Sequence, residues 1–155
     1  MSNQSRAELL SAVTTAARRH HAAYTLFNQT LADRLGLHPT DLQCISLLGL
    51  ESEPLTTGEI AKLTGLTSGS ATRLVDRLER ARLVERRPDP QDRRKARVSL
   101  TTQRNAELQA AWDVPGHAFV QALEDFTDEE LAVIERYLQR TTEVGSQQTE
   151  RLRTR

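Results

Sequence analysis

Cysteine and aromatic residues are scarce in this sequence, and their scarcity excludes several kinds of protein. Among 155 residues there are one cysteine, one tryptophan, two tyrosines and three phenylalanines. A single thiol, Cys44, cannot form an internal disulfide or a metal cluster that needs several cysteines. No apolar run reaches the roughly 18 residues that a membrane-spanning helix requires. Because residues 1–8 are polar and lack the apolar segment of a secretion signal, we expect a cytoplasmic protein.

The remaining composition is that of one globular domain. A chain of 155 residues is near the common size for a single domain, and we expect residues 1–155 to form one. Apolar residues make up 37% of the chain and aromatic residues 4%. The core must therefore be built mainly from Leu, Val and Ala.

Positive charge is concentrated in one part of the chain, although the whole chain is neutral. Residues 73–104 hold eleven Lys and Arg residues against five Asp and Glu residues, a net charge of +6. Residues 105–135 hold eight acidic residues and no Lys or Arg. Such a basic region attracts a polyanion even at zero overall charge, although a solvated, salt-bridged surface has the same composition.

Four sequence patterns mark helix starts. In each, a Ser or Thr is followed three positions later by Glu or Gln, so that each side chain can cap the other's backbone amide. The four capping residues are Ser5, Thr40, Thr56 and Thr127. We expect a first helix over Arg6–Leu35 that ends at Gly36, a second helix that is capped by Thr40, and a loop over residues 51–55.

Two short helices are predicted next, over residues 57–63 and about 68–81, joined by a short turn that contains glycine. The apolar stripe of the second helix consists of Ala71, Leu74, Val75 and Leu78. These four residues repeat at helical spacing and should face the core. Ser70, Arg73 and Arg77 lie off the stripe, so they should project outward.

After these helices the hydrophobic period changes from helical to alternating. Residues 84–87 and 97–100 are predicted to form two strands. The two prolines of residues 88–92 place a loop between the strands, because proline has no amide to donate to a ladder. Arg93 and Arg94 would lie at the edge of this loop.

Two short helices followed by a basic hairpin make a winged helix-turn-helix. The second helix has the width that the major groove of DNA admits. Small hydroxyl residues such as Ser68 and Ser70 let its N-terminal end approach phosphates, and Arg73 and Arg77 can reach guanine edges or phosphates. The arginines of the hairpin would then enter a narrow minor groove. Each feature alone also occurs in proteins in which it has only a structural role, but together these features predict DNA binding.

The same residues resemble the MarR family of transcriptional regulators. The likeness is carried by residues 55–80, which include an Asp-Arg-Leu-Glu motif, and by the Asp-Arg-Arg of residues 92–94 in the hairpin. It implies that Asp92 orients Arg94 into the minor groove. It implies further that the reading surface of the second helix consists of Ser68, Ser70, Thr72, Arg73 and Arg77.

One position departs from the family pattern just after the second helix. Arg82 stands where MarR proteins usually have glycine. If the backbone is left-handed there, arginine is strained by roughly 1 kcal/mol relative to glycine. This departure removes no group that would contact DNA.

A single reading helix contacts only a few base pairs, so helix-turn-helix proteins pair about a two-fold axis and bind pseudo-palindromic DNA. The DNA-binding lobe is predicted over about 40–101, which leaves the helices over about 5–36 and 102–153 for dimerisation. The last helix has an apolar stripe of Leu131, Ile134 and Leu138. The predicted fold class is therefore mainly α with a small β-hairpin wing, in an obligate type of homodimer, and the resemblance implies the same.

The resemblance also implies an effector. MarR-like regulators commonly release DNA when a small, often phenolic, molecule binds between the dimer helices and the DNA lobe. The candidate pocket residues are Tyr24, Cys44 and Trp112. For the two rings, packing in a core or an interface is the alternative. Cys44, which lies among apolar neighbours, is either an inert buried thiol or a redox sensor.

No pattern in the sequence predicts catalysis, a metal site or a cofactor. There is no glycine-rich phosphate loop and no His-Glu-x-x-His motif, and the four histidines are not spaced as zinc ligands. The main hypothesis is a sequence-specific DNA-binding repressor that a small molecule releases. The alternatives are a winged-helix module for protein contacts and a thiol-based redox regulator that uses Cys44.

Overall fold

The computed structural model describes residues 4–92 and 95–153, except for the side chains of residues 103–105. These residues form six helices and three short strands. In chain order they are α1 (Arg6–Leu35), α2 (Pro39–Leu48), β1 (Leu55–Thr56), α3 (Thr57–Thr64), α4 (Ser68–Arg80), β2 (Val84–Pro88), β3 (Ala96–Leu100), α5 (Thr102–Gln121) and α6 (Asp128–Arg153). The chain divides into two compact units, residues 1–109 (unit 1) and 110–155 (unit 2). The predictions for Arg93 and Arg94 lie outside the described residues.

Helix α1 has the bounds that the sequence predicts. The Ser5 hydroxyl accepts a hydrogen bond from the amide of Glu8 at 3.3 Å, and the Glu8 carboxylate accepts one from the amide of Ser5 at 2.7 Å. At the other end Gly36 has φ 66°, a left-handed conformation that glycine adopts without strain. The amide of Leu37 can then reach the carbonyl oxygen of Ala32 at 2.9 Å.

Helix α2 starts two residues earlier than predicted. Its N-cap is His38, whose Nδ1 accepts a hydrogen bond from the amide of Thr40 at 3.2 Å, and Pro39 is the first helical residue. The expectation that Thr40 caps this helix is wrong, because proline is favoured at the first position, where its missing amide leaves no hydrogen bond unmade. The earlier start places Asp41 in the first turn, where it is buried.

Helices α3 and α4 form the predicted helix-turn-helix. Thr56 and Glu59 cap α3 reciprocally, with distances of 2.7 and 3.2 Å, and Gly65 ends the helix with φ 73°. Helix α4 begins after Thr67, whose hydroxyl accepts a hydrogen bond from the amide of Ser70 at 3.3 Å. The predicted apolar stripe, Ala71, Leu74, Val75 and Leu78, is buried. Its burial turns the opposite face of α4 toward solvent.

A three-stranded antiparallel sheet in the order β1-β3-β2 carries the wing. Strands β2 and β3 pair as predicted, and their register ends with Pro88 opposite Ala96, where a missing amide is tolerated on an edge strand. Strand β1 pairs with β3, with Leu55 opposite Val98. The sequence predicts a loop over residues 51–55. At Leu55 this prediction is wrong, because a strand of two residues is too short to produce a visible alternation.

The core of unit 1 lies between α2, α3, α4 and the sheet. Its buried members are Cys44, Ile45, Leu48, Ile60, Leu74, Val75, Leu78, Leu83, Val84 and Val98. Every one of them is aliphatic except the cysteine, as the composition predicts. This core fixes the position of α4 relative to the wing.

The backbone turns left-handed just after α4. Arg82 has φ 57°, and the amide of Leu83 bonds to the carbonyl oxygen of Leu78 at 2.9 Å. Helices that end in this way favour glycine at the left-handed position. The left-handed backbone that would strain an arginine at position 82 is therefore present, and Arg82 is strained relative to glycine.

Unit 2 consists of the end of α5 and the whole of α6, and none of its described residues is buried. Thr127 and Glu130 cap α6 reciprocally at 2.8 and 3.3 Å, as predicted. In α5 the rings of Trp112 and Phe119 stack with their centroids 6.1 Å apart. A Cβ at Gly116 would lie 2.5 Å from the indole Nε1 of Trp112, so glycine leaves room for that ring.

Among the described residues, none of the helices combines the length and the apolar character needed to cross a membrane.

Candidate nucleic-acid interface

The solvent-facing side of α4 carries the residues that the sequence assigns to DNA reading on this helix. They are Ser68, Ser70, Thr72, Arg73 and Arg77, and all are exposed or half-buried. Some hydroxyls make hydrogen bonds at the start of the helix. Thr67 Oγ1 donates to Ser70 Oγ at 3.0 Å, and Thr72 Oγ1 donates to the carbonyl oxygen of Ser68 at 2.9 Å. Hydroxyl oxygens have two lone pairs, so these groups keep further capacity to accept hydrogen bonds.

Arg73 is exposed near the middle of this face. Within the part of the chain that the structure describes, its guanidinium makes no hydrogen bond or ion pair. None of the described residues occupies its five N–H donors, which leaves them for solvent or a ligand. An arginine in this state suits the bidentate recognition of guanine or phosphate.

Arg77, one turn further along α4, is held by a partner on another helix. Its Nε donates to Oδ2 of Asp41 at 3.1 Å, and its Nη2 donates to Oδ1 of the same carboxylate at 2.6 Å. These hydrogen bonds raise the pKa of the Arg77 guanidinium above its usual value. The prediction that Arg77 projects outward is therefore correct only in part, because one edge of its guanidinium faces α2.

A depression of about 260 Å³ lies on unit 1 between the start of α2 and the exposed face of α4. Its lining residues are His38, Thr40, Leu66, Ser70, Arg73, Leu74 and Arg77. Two arginines and two hydroxyl residues contribute cationic and polar groups to its lining, and Leu66 and Leu74 contribute apolar surface. The depression adjoins the exposed face of α4 on the side of α2.

Arg86 connects the wing to α4. From strand β2 its Nη1 donates to Oε2 of Glu79 at 2.5 Å, and its Nη2 donates to Oδ1 of Asp76 at 2.6 Å. Asp76 and Glu79 both belong to α4, three residues apart on one side of the helix. A guanidinium held by two carboxylates is a rigid link, so the strand and the helix keep a fixed relation.

The base of the wing is organised by Asp89. Its Oδ1 accepts hydrogen bonds from the amides of Gln91 and Asp92 at 2.7 and 3.1 Å, and its Oδ2 accepts one from Arg97 Nε at 2.7 Å. The amide of Gln91 and the Arg97 guanidinium lower the pKa of Asp89. Arg97 Nη1 also donates to the carbonyl oxygen of Pro54 at 3.0 Å, which ties the wing to the segment before β1.

Asp92, which the sequence analysis assigned to orienting the wing, lies in the loop between β2 and β3. Its Oδ2 is 3.6 Å from Nζ of Lys95, a long ion pair between exposed groups. Arg93 and Arg94 lie outside the described residues, so the predicted role of Asp92 toward Arg94 stays a prediction.

The three candidate effector residues have different surroundings. Cys44 is fully buried in the core of unit 1, and burial, followed by the nearby charge of Asp41, raises its pKa to about 11. This environment is that of an inert buried thiol. Tyr24 is exposed on α1, with its ring centroid 6.1 Å from that of Phe27, and Trp112 is exposed in unit 2. Their role in a pocket stays a prediction.

Sequence reasoning missed Asp41, Asp89 and Arg97. For Asp89 a signal existed, because an aspartate in a proline-rich turn often accepts a hydrogen bond from the amide two residues later. For Asp41 there was none, because its partner Arg77 is 36 positions away and an acid in the first turn of a helix is common.

Comparison with known sequences finds similarity to transcriptional regulators. The sequence model of the MarR family matches residues 35–95. The uncharacterised helix-turn-helix-type transcriptional regulator YcgE of Bacillus subtilis is 35% identical over 149 residues, which cover 96% of this chain and 96% of YcgE. The helix-turn-helix-type transcriptional repressor YetL of the same organism is 34% identical over 86 residues, which cover 54% of this chain and 50% of YetL.

Solved structures show the same fold. A MarR family protein from Bacillus stearothermophilus has a TM-score of 0.69 and 23% identity, with 92% of this chain and 99% of that chain covered. A mutant of S. aureus MepR bound to an oligodeoxyribonucleotide has a TM-score of 0.58 and 20% identity, with 85% and 96% covered. The predicted winged helix-turn-helix is thereby confirmed.

Proposed function

Since this chain belongs to the MarR family of transcriptional regulators, we propose that it controls transcription by binding a specific sequence of double-stranded DNA. The observation that carries this proposal is the packing of α4. One side of the helix is buried in the core, and the other presents hydroxyls and the Arg73 guanidinium to solvent. A helix supported in this way can enter the major groove without loss of the core beneath it.

The residues of the interface take roles that follow from their chemistry. Arg73 offers its N–H fork to O6 and N7 of guanine, the commonest specific contact in the major groove. Ser68, Ser70 and Thr72 bind phosphates or base edges at the start of α4. Asp92 orients Arg94 toward the minor groove, with Arg93 beside it, as the family resemblance implies.

We propose further that the protein acts as a homodimer on a pseudo-palindromic site. Residues of about 40–101 form the DNA-binding lobe of a single MarR-type domain, and the helices over about 5–36 and 102–153 form the dimerisation region. The exposed apolar side chains of α6, among them Leu138 at 51% exposure, support this assignment, because a second copy would remove them from water. Two lobes related by a two-fold axis would read two half-sites.

The direction of regulation is proposed to be repression. The name of the relative YetL supports it. A small aromatic molecule would release the DNA, and Tyr24 and Trp112 are the candidate residues for binding it. Cys44 is the weakest of the three candidates, because it is fully buried. The protein would act in the cytoplasm, where the DNA is, and by binding rather than by catalysis.

The test of DNA binding begins with a pool of random duplexes. Wild-type protein should enrich one pseudo-palindromic sequence, and its affinity for that duplex should fall steeply with salt as phosphate contacts release counterions. A module that serves protein contacts alone would enrich no sequence at any salt concentration. That outcome would refute the proposed function.

Arg73→Ala then tests the assignment of the reading helix. We expect a loss of about 1–3 kcal/mol in binding to the enriched duplex, with relaxed preference at one base pair of each half-site. Arg140→Ala is the matched control, because it removes the same charge from α6, outside the proposed DNA-binding lobe. Arg140 lies about 200° around the helix from Leu138, and hence away from the proposed dimer contact. If Arg73→Ala weakens binding equally to all sequences, Arg73 contacts a phosphate instead.

A further inference from the structure

Two arginines of α4 lie one turn apart and are in different states. Arg73 makes no hydrogen bond or ion pair with the described residues, whereas Arg77 is held by the carboxylate of Asp41 on α2. The sequence gives both residues the same role. In the structure only Arg77 has a carboxylate partner, and this difference affects how each arginine can contact DNA.

The Arg77–Asp41 pair fixes the orientation of the guanidinium. Asp41 accepts from Nε at 3.1 Å and from Nη2 at 2.6 Å, so one whole edge of the fork is occupied. Asp41 is only 5% exposed, and it cannot turn away without leaving a buried charge unpaired. The Nη1 side of Arg77 makes no hydrogen bond or ion pair with the described residues and remains for a ligand.

The direction of the fixed guanidinium indicates what it can meet. Asp41 draws it from the crest of α4 toward the start of α2, beside the depression that Thr40 and Ser70 also line. When a helix lies in the major groove, its crest faces base edges and the elements on its flank face the DNA backbone. A guanidinium held on the flank is therefore placed for a phosphate, and base reading is left to Arg73.

We propose that Asp41 is a positioning residue for DNA binding: it holds Arg77 on the flank of α4 so that the free edge of the guanidinium binds a phosphate. This inference rests on the proposed function. It makes a prediction opposite to that of simple electrostatics, because removal of a carboxylate near a polyanion should by charge alone strengthen binding. If Asp41 positions Arg77, its removal weakens binding.

The first test compares Asp41→Asn with the wild type on the duplex that the wild type enriches. We expect affinity to fall roughly tenfold, the size of one lost contact, and the salt slope to decrease by about one. Glu51→Gln is the matched control, since it removes an exposed negative charge from unit 1 without touching Arg77. It should leave affinity unchanged or raise it slightly.

A second measurement separates positioning from a general structural role. In an Arg77→Met background, Asp41→Asn should have no further effect on affinity, because the residue through which Asp41 acts is absent. In the free protein, the Nε–H resonance of Arg77 should exchange slowly with water in the wild type and rapidly in Asp41→Asn. A residue that only stabilises the fold would lower the melting temperature and reduce affinity in both backgrounds.

Arg77→Lys provides a second variant in case Asp41→Asn folds poorly. Lysine keeps the charge but cannot form the two-pronged contact with Asp41, so we again expect a roughly tenfold loss of affinity. Unchanged or stronger binding in Asp41→Asn, or unchanged binding in Arg77→Lys, overturns the inference while the proposed function stands. If the wild type enriches no duplex, the inference fails together with the proposed function.

Discussion

Unit 1 and unit 2 differ in how far their apolar residues are buried. In unit 1, α2, α3, α4 and the sheet enclose a core in which Ile60, Val75 and Val98 are fully buried. In unit 2, none of the described residues is buried. Its exposed large apolar residues are Trp112, Val114, Phe119, Val120, Leu123, Phe126, Val133, Tyr137, Leu138, Val144 and Leu152.

The two units are therefore stabilised in different ways. Unit 1 holds α4 by contacts within the same chain, so the surface proposed to face DNA is supported without a partner. Unit 2 has caps and regular helices, but it has no buried interior of its own in the described residues. Exposed apolar area of this extent is typical of a surface that takes part in binding, and the proposed homodimer would cover it.

The largest effect is expected for Leu138→Glu in α6, which tests whether a second copy covers the exposed apolar residues of unit 2. If a second copy covers this residue, the loss of two buried leucines per dimer removes about 3–6 kcal/mol of association free energy. Sedimentation velocity should then find monomers at concentrations where the wild type is dimeric, and binding to the enriched duplex should be lost.

Gln147→Glu is the control for this substitution. It adds the same charge to α6 at a position about 180° around the helix from Leu138. It should leave the sedimentation coefficient unchanged. A dimer that persists in Leu138→Glu would contradict the assignment of α6 to dimerisation.

The next largest effect is expected in the core of unit 1. Leu74 is 1% exposed beneath the reading face, and Leu74→Ala should lower the free energy of unfolding by about 2–5 kcal/mol in urea titrations. Leu50 is 81% exposed in the same unit, so Leu50→Ala should change stability by no more than about 0.5 kcal/mol. Equal losses in the two variants would mean that unit 1 is not stabilised by its own core.

A smaller effect is expected where α4 ends. Arg82 has φ 57°, so Arg82→Gly should relieve strain and raise the free energy of unfolding by about 1 kcal/mol. Arg80→Gly, at the last helical residue of α4, should lower it by roughly 0.5–1 kcal/mol, because glycine is disfavoured in a helix. Thermal melts of the two variants should shift in opposite directions; shifts of the same sign would contradict the strain at Arg82.

The smallest effect concerns Cys44. Its pKa, raised to about 11 by burial, keeps the thiol protonated at neutral pH, and its place in the core keeps reagents out. Mass spectrometry should find almost no labelling by iodoacetamide in the native protein and complete labelling in concentrated guanidinium. Peroxide should leave DNA affinity unchanged. Rapid native labelling, or loss of affinity after peroxide, would support the redox-sensor alternative.

Local chemistry explains which elements could be predicted from the sequence. Ser5, Thr56 and Thr127 begin helices because a hydroxyl and a carboxylate at fixed spacing cap each other, and Gly36 ends one because it adopts a positive φ. The buried stripe of α4 follows from its period. The prediction of the reading surface needed only this helix, the basic hairpin and the family resemblance, and it stays a prediction.

Most of what could not be predicted depends on contacts between distant residues. One miss is local: the cap of α2 is His38 and not Thr40, because Pro39 takes the first helical position. Strand β1 exists only through its pairing with β3. The Asp41–Arg77 pair joins residues 36 positions apart, so no local pattern indicates that Arg73 and Arg77 differ.

The link that Arg86 makes from β2 to Asp76 and Glu79 has a consequence for how binding preference can change during evolution. Tilting α4 against the wing would break two charge-assisted hydrogen bonds at once. A descendant of this protein that acquires a new target site is therefore expected to do so by exchanging side chains at positions such as Ser70 and Arg73. The docking angle of the lobe would be inherited unchanged.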